Sequence, residues 1–245
     1  YHGSIGDFVS AQATLTKLAE IYPENSLAPQ ALFEAALYCE RRGSDFYPQA
    51  IVLHNDLATQ YASDPLFYYA RLKQGNLLRS INNFAGAQIV YENLINGFPS
   101  HEMRYVAELS RADCMLALAG NDSDGLVDVI VILERLLDLP NLPHDFQAEA
   151  AQKWAFALIK SGSIEKAKEV LWLSADRFIG DGEKVANLGA AGRYWLARSM
   201  LQLGEIFEKQ DNLVEARKVY RQVIAYNLPG RHIAISRVDQ ILEVE

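Results

Sequence analysis

Small and hydrophobic residues recur along this chain at helical spacing in a long, repeated unit. Each unit opens with a small residue, four others and another small residue: Ala31…Ala36, Ala70…Gly75, Ala107…Ala112, Ala150…Ala155 and Ser199…Gly204. A third position follows 12 to 16 residues later, at Ala50, Ala87, Asp128, Ala167 and Ala216, with an extra copy at Ala11. Aromatic or aliphatic residues tend to stand four and seven beyond it, as Tyr220 and Val223 do after Ala216. Steps of four and seven fall on one face of a helix. Each unit therefore predicts a helix lined with small residues, a turn, and a second helix lined with larger ones. Successive second helices are 39, 37, 41, 39 and 49 residues apart. Self-similarity at such a period predicts a stacked array of helical hairpins. Asp128 breaks the pattern, and Val127 or Val129 is expected to take its packing place.

The punctuation agrees. Pro23, Pro99, Pro140 and Pro229 follow second helices, which cannot easily continue through them. Arg42-Gly43-Ser44-Asp45, Asn82-Asn83, the stretch Gly120 to Gly125, Ser161-Gly162-Ser163 and Gln210-Asp211-Asn212 are turn chemistry between paired helices. The expected layout is a half repeat over 5–24 and repeats near 27–62, 65–98, 102–139, 145–179 and 183–228. A capping helix over 232–244 completes it, since an array needs its open end covered. The long spacing before the last repeat predicts one continuous first helix from Glu183 to Lys209, led by Asp181-Gly182, with Gly189 and Gly192 weakening its opening turns. The half repeat supplies only a second helix, so the chain reads as a piece of a longer array.

Composition narrows the class. Half of the 245 residues are hydrophobic and the formal net charge is −8. An acidic balance argues against a nucleic-acid partner, whose phosphates call for a basic face. No apolar run approaches the roughly 18 residues of a membrane span. Cys39 and Cys114 are too few for a disulfide framework and fall two repeats apart, so they read as buried thiols.

The pattern Ala-x4-Gly/Ala, turn, Phe/Tyr-x2-Ala-x3-Tyr/Phe-x2-Leu…Pro, cleanest from Ala70 to Pro99, resembles the tetratricopeptide repeat family. The longer period and phrases such as Tyr22-Pro23-Glu24-Asn25-Ser26…Ala31-Leu32-Phe33 are similar to repeats of bacterial envelope proteins, the Tol-Pal-associated periplasmic protein and the outer-membrane barrel-assembly lipoprotein. The resemblance covers nearly the whole chain. It implies an all-α, right-handed superhelical solenoid of antiparallel helix hairpins whose concave groove binds peptides, helices or partner domains. It also implies a periplasmic or envelope setting. The chain departs from these relatives in showing neither a lipid-attachment cysteine at its start nor a Gln-rich coiled-coil lead.

Reactive chemistry has little footing. His2, His54, His101, His144 and His232 show no i, i+4 pair and no neighbouring cysteine, and read as loop and surface residues rather than zinc ligands. There is no phosphate-binding glycine loop and no nucleophile elbow. A calcium loop from Asp122 would need Gly and Glu where Val127 and Leu133 stand. Asn121-Asp122-Ser123 is a formal glycosylation sequon in what reads as a solvated loop. The acidic pairs Glu205/Glu208 and Asp122/Asp124 read as solvated. No enzyme activity, cofactor or metal is expected.

The resemblance points instead to the concave face of the first helices. Its inward positions are Phe33, Leu37, Glu40 and Arg41; Tyr69, Leu72, Asn76 and Arg79; Val106, Leu109, Asp113 and Leu116; Gln152, Phe156 and Lys160; and Arg198, Leu201, Glu205 and Glu208. Tyr69, Asn76, Arg79, Asp113, Gln152, Phe156, Arg198 and Glu205 are the candidate contacts. Arg193, Tyr194, Trp195 and Arg198 add a second candidate surface, aromatic residues and arginine being common interface anchors. Trp154 and Trp172 read as packing between repeats. Asn76 stands at a position used elsewhere in the family to clamp a peptide carboxylate, but Leu72 and Ser110 occupy the companion places. The expected role is a protein-binding scaffold for a peptide or partner domain. Self-association through repeat ends, or service as the recognition arm of a larger enzyme, are the alternatives.

Overall fold

The computed structural model describes residues 6–120, 122–180 and 182–244. His2, Ile5 at the start of the expected half repeat, Asn121 of the sequon and Asp181 of the expected helix start lie outside them. The described residues form thirteen α-helices and no strand, in two compact units that meet in sequence at Leu118 and Ala119. The first unit holds α1 (Phe8–Ile21), α2 (Ala28–Arg41), α3 (Tyr47–Gln60), α4 (Leu66–Ser80), α5 (Phe84–Gly97) and all but the last residue of α6 (Arg104–Ala119). The second holds α7 (Ser123–Leu137), α8 (His144–Lys160), α9 (Ile164–Ile179), α10 (Gly182–Ala186), α11 (Ala190–Lys209), α12 (Leu213–Ala225) and α13 (Arg231–Val244). Each unit is a run of helical hairpins, the all-α solenoid architecture expected from the sequence.

Three hairpins turn in the same way. Asn82, Gly162 and Asp211 adopt positive φ of 62°, 83° and 58° just after α4, α8 and α11. The next amide reaches back to the helix: Asn83 N donates to Leu78 O at 2.8 Å, Ser163 N to Leu158 O at 2.8 Å and Asn212 N to Phe207 O at 2.9 Å. This left-handed closure ties off carbonyls that the helix end leaves unpaired. The residue that completes it also starts the second helix. Asn83 Oδ1 accepts from Gly86 N at 3.0 Å and Asn212 Oδ1 from Glu215 N at 3.3 Å, each capping an N-terminus.

Packing between paired helices depends on the small residues. Gly75 on α4 lies under the ring of Tyr91 on α5, and Gly204 on α11 under Tyr220 on α12. Both tyrosines are fully buried. Where the second small residue is alanine, at Ala36 and Ala155, the equivalent place on the second helix holds His54 or Leu171 instead. Volume is thus exchanged across the hairpin, as close packing demands.

Two local expectations change. On α7 it is Val129 that is buried, with Leu126, Leu133 and Leu136, while Val127 is exposed. The buried face has shifted one residue, so Asp128 points to solvent. The expected continuous helix from Glu183 to Lys209 is broken: α10 ends at Ala186 and α11 begins at Ala190. Between them the buried Leu188 joins the core of the second unit, and Gly189 N donates to Asp145 Oδ1 at 3.0 Å. The Asp145 carboxylate also occupies the space where side chains at Gly189 and Gly192 would stand. A carboxylate from α8 therefore caps α11 in place of another helical turn.

Candidate functional site

In the first unit, three of the candidate residues converge. The guanidinium of Arg79 on α4 pairs with the carboxylate of Asp113 on α6 at 2.8 Å, the two side chains being 30% and 28% exposed. Tyr91 Oη donates to Asn76 Oδ1 at 2.7 Å. Burial pushes the Tyr91 phenol up to about 12, with the neighbouring Arg79 guanidinium pulling the other way. Tyr69 stands apart from them. Its hydroxyl donates to Glu102, and that bond raises its pKa.

This arrangement occurs three times. The residue four beyond the second small position is Glu40, Arg79 or Glu208. Each lies beside the residue four beyond the third position: His54, Tyr91 or Tyr220. Each also pairs with an opposite charge on a following helix. Lys73 on α4 lies 3.3 Å from Glu40, Asp113 2.8 Å from Arg79, and Arg237 on α13 3.4 Å from Glu208. Burial works to raise the Glu40 carboxyl, but the His54 hydrogen bond and the Lys73 ammonium outweigh it and hold it low. Burial, and then the adjacent Glu208 carboxylate, drive the Tyr220 phenol far up. The sign of the central charge changes between copies and its ion-pair partner changes with it, while a tyrosine stands beside both Arg79 and Glu208. Arg79, Asn76 and Asp113 are thus already engaged within the protein, as ties between helices. Glu208, read from sequence as solvated, is the centre of such a tie.

The second unit leaves more of its face available. Gln152 Nε2 on α8 donates to Gln202 Oε1 on α11 at 3.2 Å and sets the level of the two helices. Arg198 stands one turn before that level, and Phe156 and Glu205 one turn after it, so these side chains share a strip. Gln152 is buried, whereas Arg198 and Glu205 are exposed and Phe156 is 37% exposed. Arg198 Nη1 donates to Tyr194 Oη at 3.1 Å, and its guanidinium lies 5.8 Å from the Trp195 ring centre. Lys153 Nζ lies 5.3 Å from the same ring, while pairing with Glu149 at 2.8 Å. Lys160 stands 5.7 Å from the Phe156 ring. The strip thus offers aromatic surface edged by cations, with Glu205 at one end. Arg193, by contrast, is spent on the carbonyls of Val185, Tyr226 and Asn227.

Several residues fall elsewhere than the sequence suggested. Leu72, Leu109 and Leu116 are core residues. His54 is fully buried on α3, with Nε2 3.1 Å from Glu40 Oε1, because it occupies the place that tyrosine fills in other repeats. His101 is stacked on Tyr68, with ring centres 3.5 Å apart. Trp154 packs against the core, whereas Trp172 is 47% exposed. Cys39 and Cys114 are both buried. Among the described residues no three His, Cys, Asp or Glu side chains gather as a metal site, and no helix is long and apolar enough to cross a membrane.

A sequence profile of the tetratricopeptide repeat matches residues 198–227, spanning most of α11 and all of α12. No curated protein sequence matches the chain. Solved structures, a tetratricopeptide repeat protein among them, share its fold. BtubC (BKLC) from P. vanneervenii is 11% identical, with a TM-score of 0.61 over 90% of this chain and 91% of its own. A tetratricopeptide repeat protein from Parabacteroides merdae is 13% identical, with a TM-score of 0.57 over 98% and 94%. MamA from Desulfovibrio magneticus is 16% identical, with a TM-score of 0.56 over 81% and 94%. The tetratricopeptide-like fold is therefore supported from both sequence and structure, and identities this low speak to the fold alone.

Proposed function

We propose that this chain is a non-enzymatic scaffold that binds a segment of a partner protein along the α8–α11 strip of its second unit. The observation that carries this reading is Arg198, an exposed guanidinium held among the described residues by the Tyr194 hydroxyl and flanked by Trp195. Exposed arginine among aromatic side chains is the usual make-up of an interface anchor. Phe156 and Glu205, two turns away, offer an apolar contact and a charge that would fix the register of a bound segment. The first-unit candidates Arg79, Asn76 and Asp113 serve this scaffold by holding its helices, and Tyr69 remains a peripheral contact. The likeness of the repeat phrases to envelope proteins supports a setting in bacterial envelope assembly.

The test is a capture experiment comparing the native chain with a Phe156→Ala/Arg198→Ala variant of unchanged helicity. A partner held by the native chain and lost by the variant supports strip binding. A partner held equally by both overturns it. Recovery of the chain alone, with a mass that rises with concentration, would favour the self-assembling alternative.

A further inference from the structure

The half-exposed Trp172 marks a different surface. Trp172 lies on the outer side of α9, and the neighbouring Leu173 is 58% exposed. On one flank a groove between α9 and α12 is floored by Met200 and Leu203 of α11 and holds roughly 760 Å³ of space open to solvent. Trp172 also borders a shallower hollow shared with Phe207. An indole costs free energy to leave in water, and a half-exposed tryptophan beside an apolar groove has the make-up of a docking anchor.

The charges around it select the occupant. Glu169 precedes Trp172 by three residues and Asp176 follows it by four, so both carboxylates neighbour the indole on α9. Glu215 faces the groove from α12 and is matched by Lys218 at 2.6 Å. Lys166 and Lys168 are matched by Glu134 and Glu165. Among the described residues neither Glu169 nor Asp176 enters an ion pair, so the surplus at this rim is negative. An indole face bordered by carboxylates attracts an ammonium or guanidinium group, while the floor accepts aliphatic side chains. We propose that the α9–α12 groove docks a basic amphipathic helix of a partner protein, with leucine-like side chains in the groove and a lysine or arginine over Trp172. This surface is distinct from the α8–α11 strip and would remain if that reading failed.

The probe is a fluorescent amphipathic helical peptide of leucine and lysine, titrated into the whole protein and followed by anisotropy. A leucine–glutamate peptide of the same pattern is the charge control. The native chain should bind the lysine peptide and not the glutamate one. Trp172→Ala should weaken binding about tenfold, and Trp172→Arg should abolish it, both in variants that keep the helicity of the native chain. Asp176→Asn should weaken binding and flatten its salt dependence. Phe156→Ala/Arg198→Ala should leave it unchanged. Failure of the lysine peptide to bind overturns the proposal. So does equal binding by Trp172→Ala, equal binding of the glutamate peptide, or loss only in the Phe156/Arg198 variant.

Discussion

The Cβ that Gly75 lacks would lie 2.6 Å from Cε1 of Tyr91, so the tyrosine ring fills the space of the side chain that glycine does without. Gly204 and Tyr220 stand in the same relation in the second unit. Each hairpin with a tyrosine at this place carries glycine opposite, and the hairpins of Ala36 and Ala155 carry histidine and leucine. Gly75→Ala should therefore cost about 1–3 kcal/mol through overpacking, even though alanine is the better helix former. Tyr91→Leu, which reproduces the Ala155 and Leu171 combination, should offset part of that cost. The check is a double-mutant cycle by chemical denaturation, in which Gly75→Ala/Tyr91→Leu loses less stability than the two single changes added together. Strict additivity would mean that the ring and the glycine are not complementary.

The tie between Arg79 and Asp113 gives a second cycle. The side chains are about a third exposed, so screening reduces the pair to roughly 0.5–2 kcal/mol of coupling. Arg79→Ala alone should cost more than this coupling, because it strips Asp113 of its counter-charge and Tyr91 of a neighbour. The arrangement of Glu208 and Arg237 shows the same tie built with opposite sign. The reversed pair Arg79→Glu/Asp113→Arg should therefore be more stable than either single reversal. A reversed pair no better than Arg79→Glu alone would show that the local geometry, and not the pairing, sets the stability.

Much of this was legible in the amino-acid sequence, for physical reasons. A third position that is small in five of its six copies, with larger residues four and seven beyond it, reports helical faces directly, and prolines after second helices mark where chains cannot continue. Asp128 announced a disturbance in α7, although only packing decided that Val129 and not Val127 turns inward. The break before α11 was not legible, because it depends on a carboxylate 44 residues earlier in the chain reaching the Gly189 amide. The candidate site fared unevenly for the same reason. The sequence puts Arg79 and Arg198 on inward faces alike, but cannot show that Asp113 meets one while a tyrosine hydroxyl and an indole meet the other. His54 could have been found by noting that it stands where Tyr91 and Tyr220 stand. Trp172 could have been found as well, since it stands five beyond Ala167, off the face that Leu171 and Ser174 mark.

That long-range cap is itself testable. Asp145→Ala removes the acceptor for Gly189 N and the negative charge at the start of α11, and should cost about 1 kcal/mol, within the usual range for a lost cap. Asp145→Asn keeps an acceptor and should cost less. Gly189→Ala should destabilise as well, because its Cβ would collide with the Asp145 carboxylate. Hydrogen exchange at the amides following Gly189 is the local readout. Faster exchange there in Asp145→Ala, with α4 and α5 unaffected, would confirm the cap, and unchanged exchange would remove its significance.

Alkaline pH should loosen the first unit, and the sign follows from its buried phenols. Burial, aided by the neighbouring Glu108 carboxylate, pushes Tyr68 up to about 12, and burial pushes Tyr91 to about 12 against the pull of Arg79. An unfolded chain gives up both protons near the ordinary value of 10.0, while the folded chain keeps them. The folded state then binds more protons than the unfolded state, so stability falls as pH rises. The contribution is fully present below pH 10 and is lost toward pH 12, at up to about 1.4 kcal/mol per pH unit for each tyrosine. Phenolate absorbance should show these groups ionising together with unfolding rather than before it. Tyr68→Phe and Tyr91→Phe should each reduce the alkaline slope of stability, and a slope unchanged in both would show that neither phenol is held neutral by the fold.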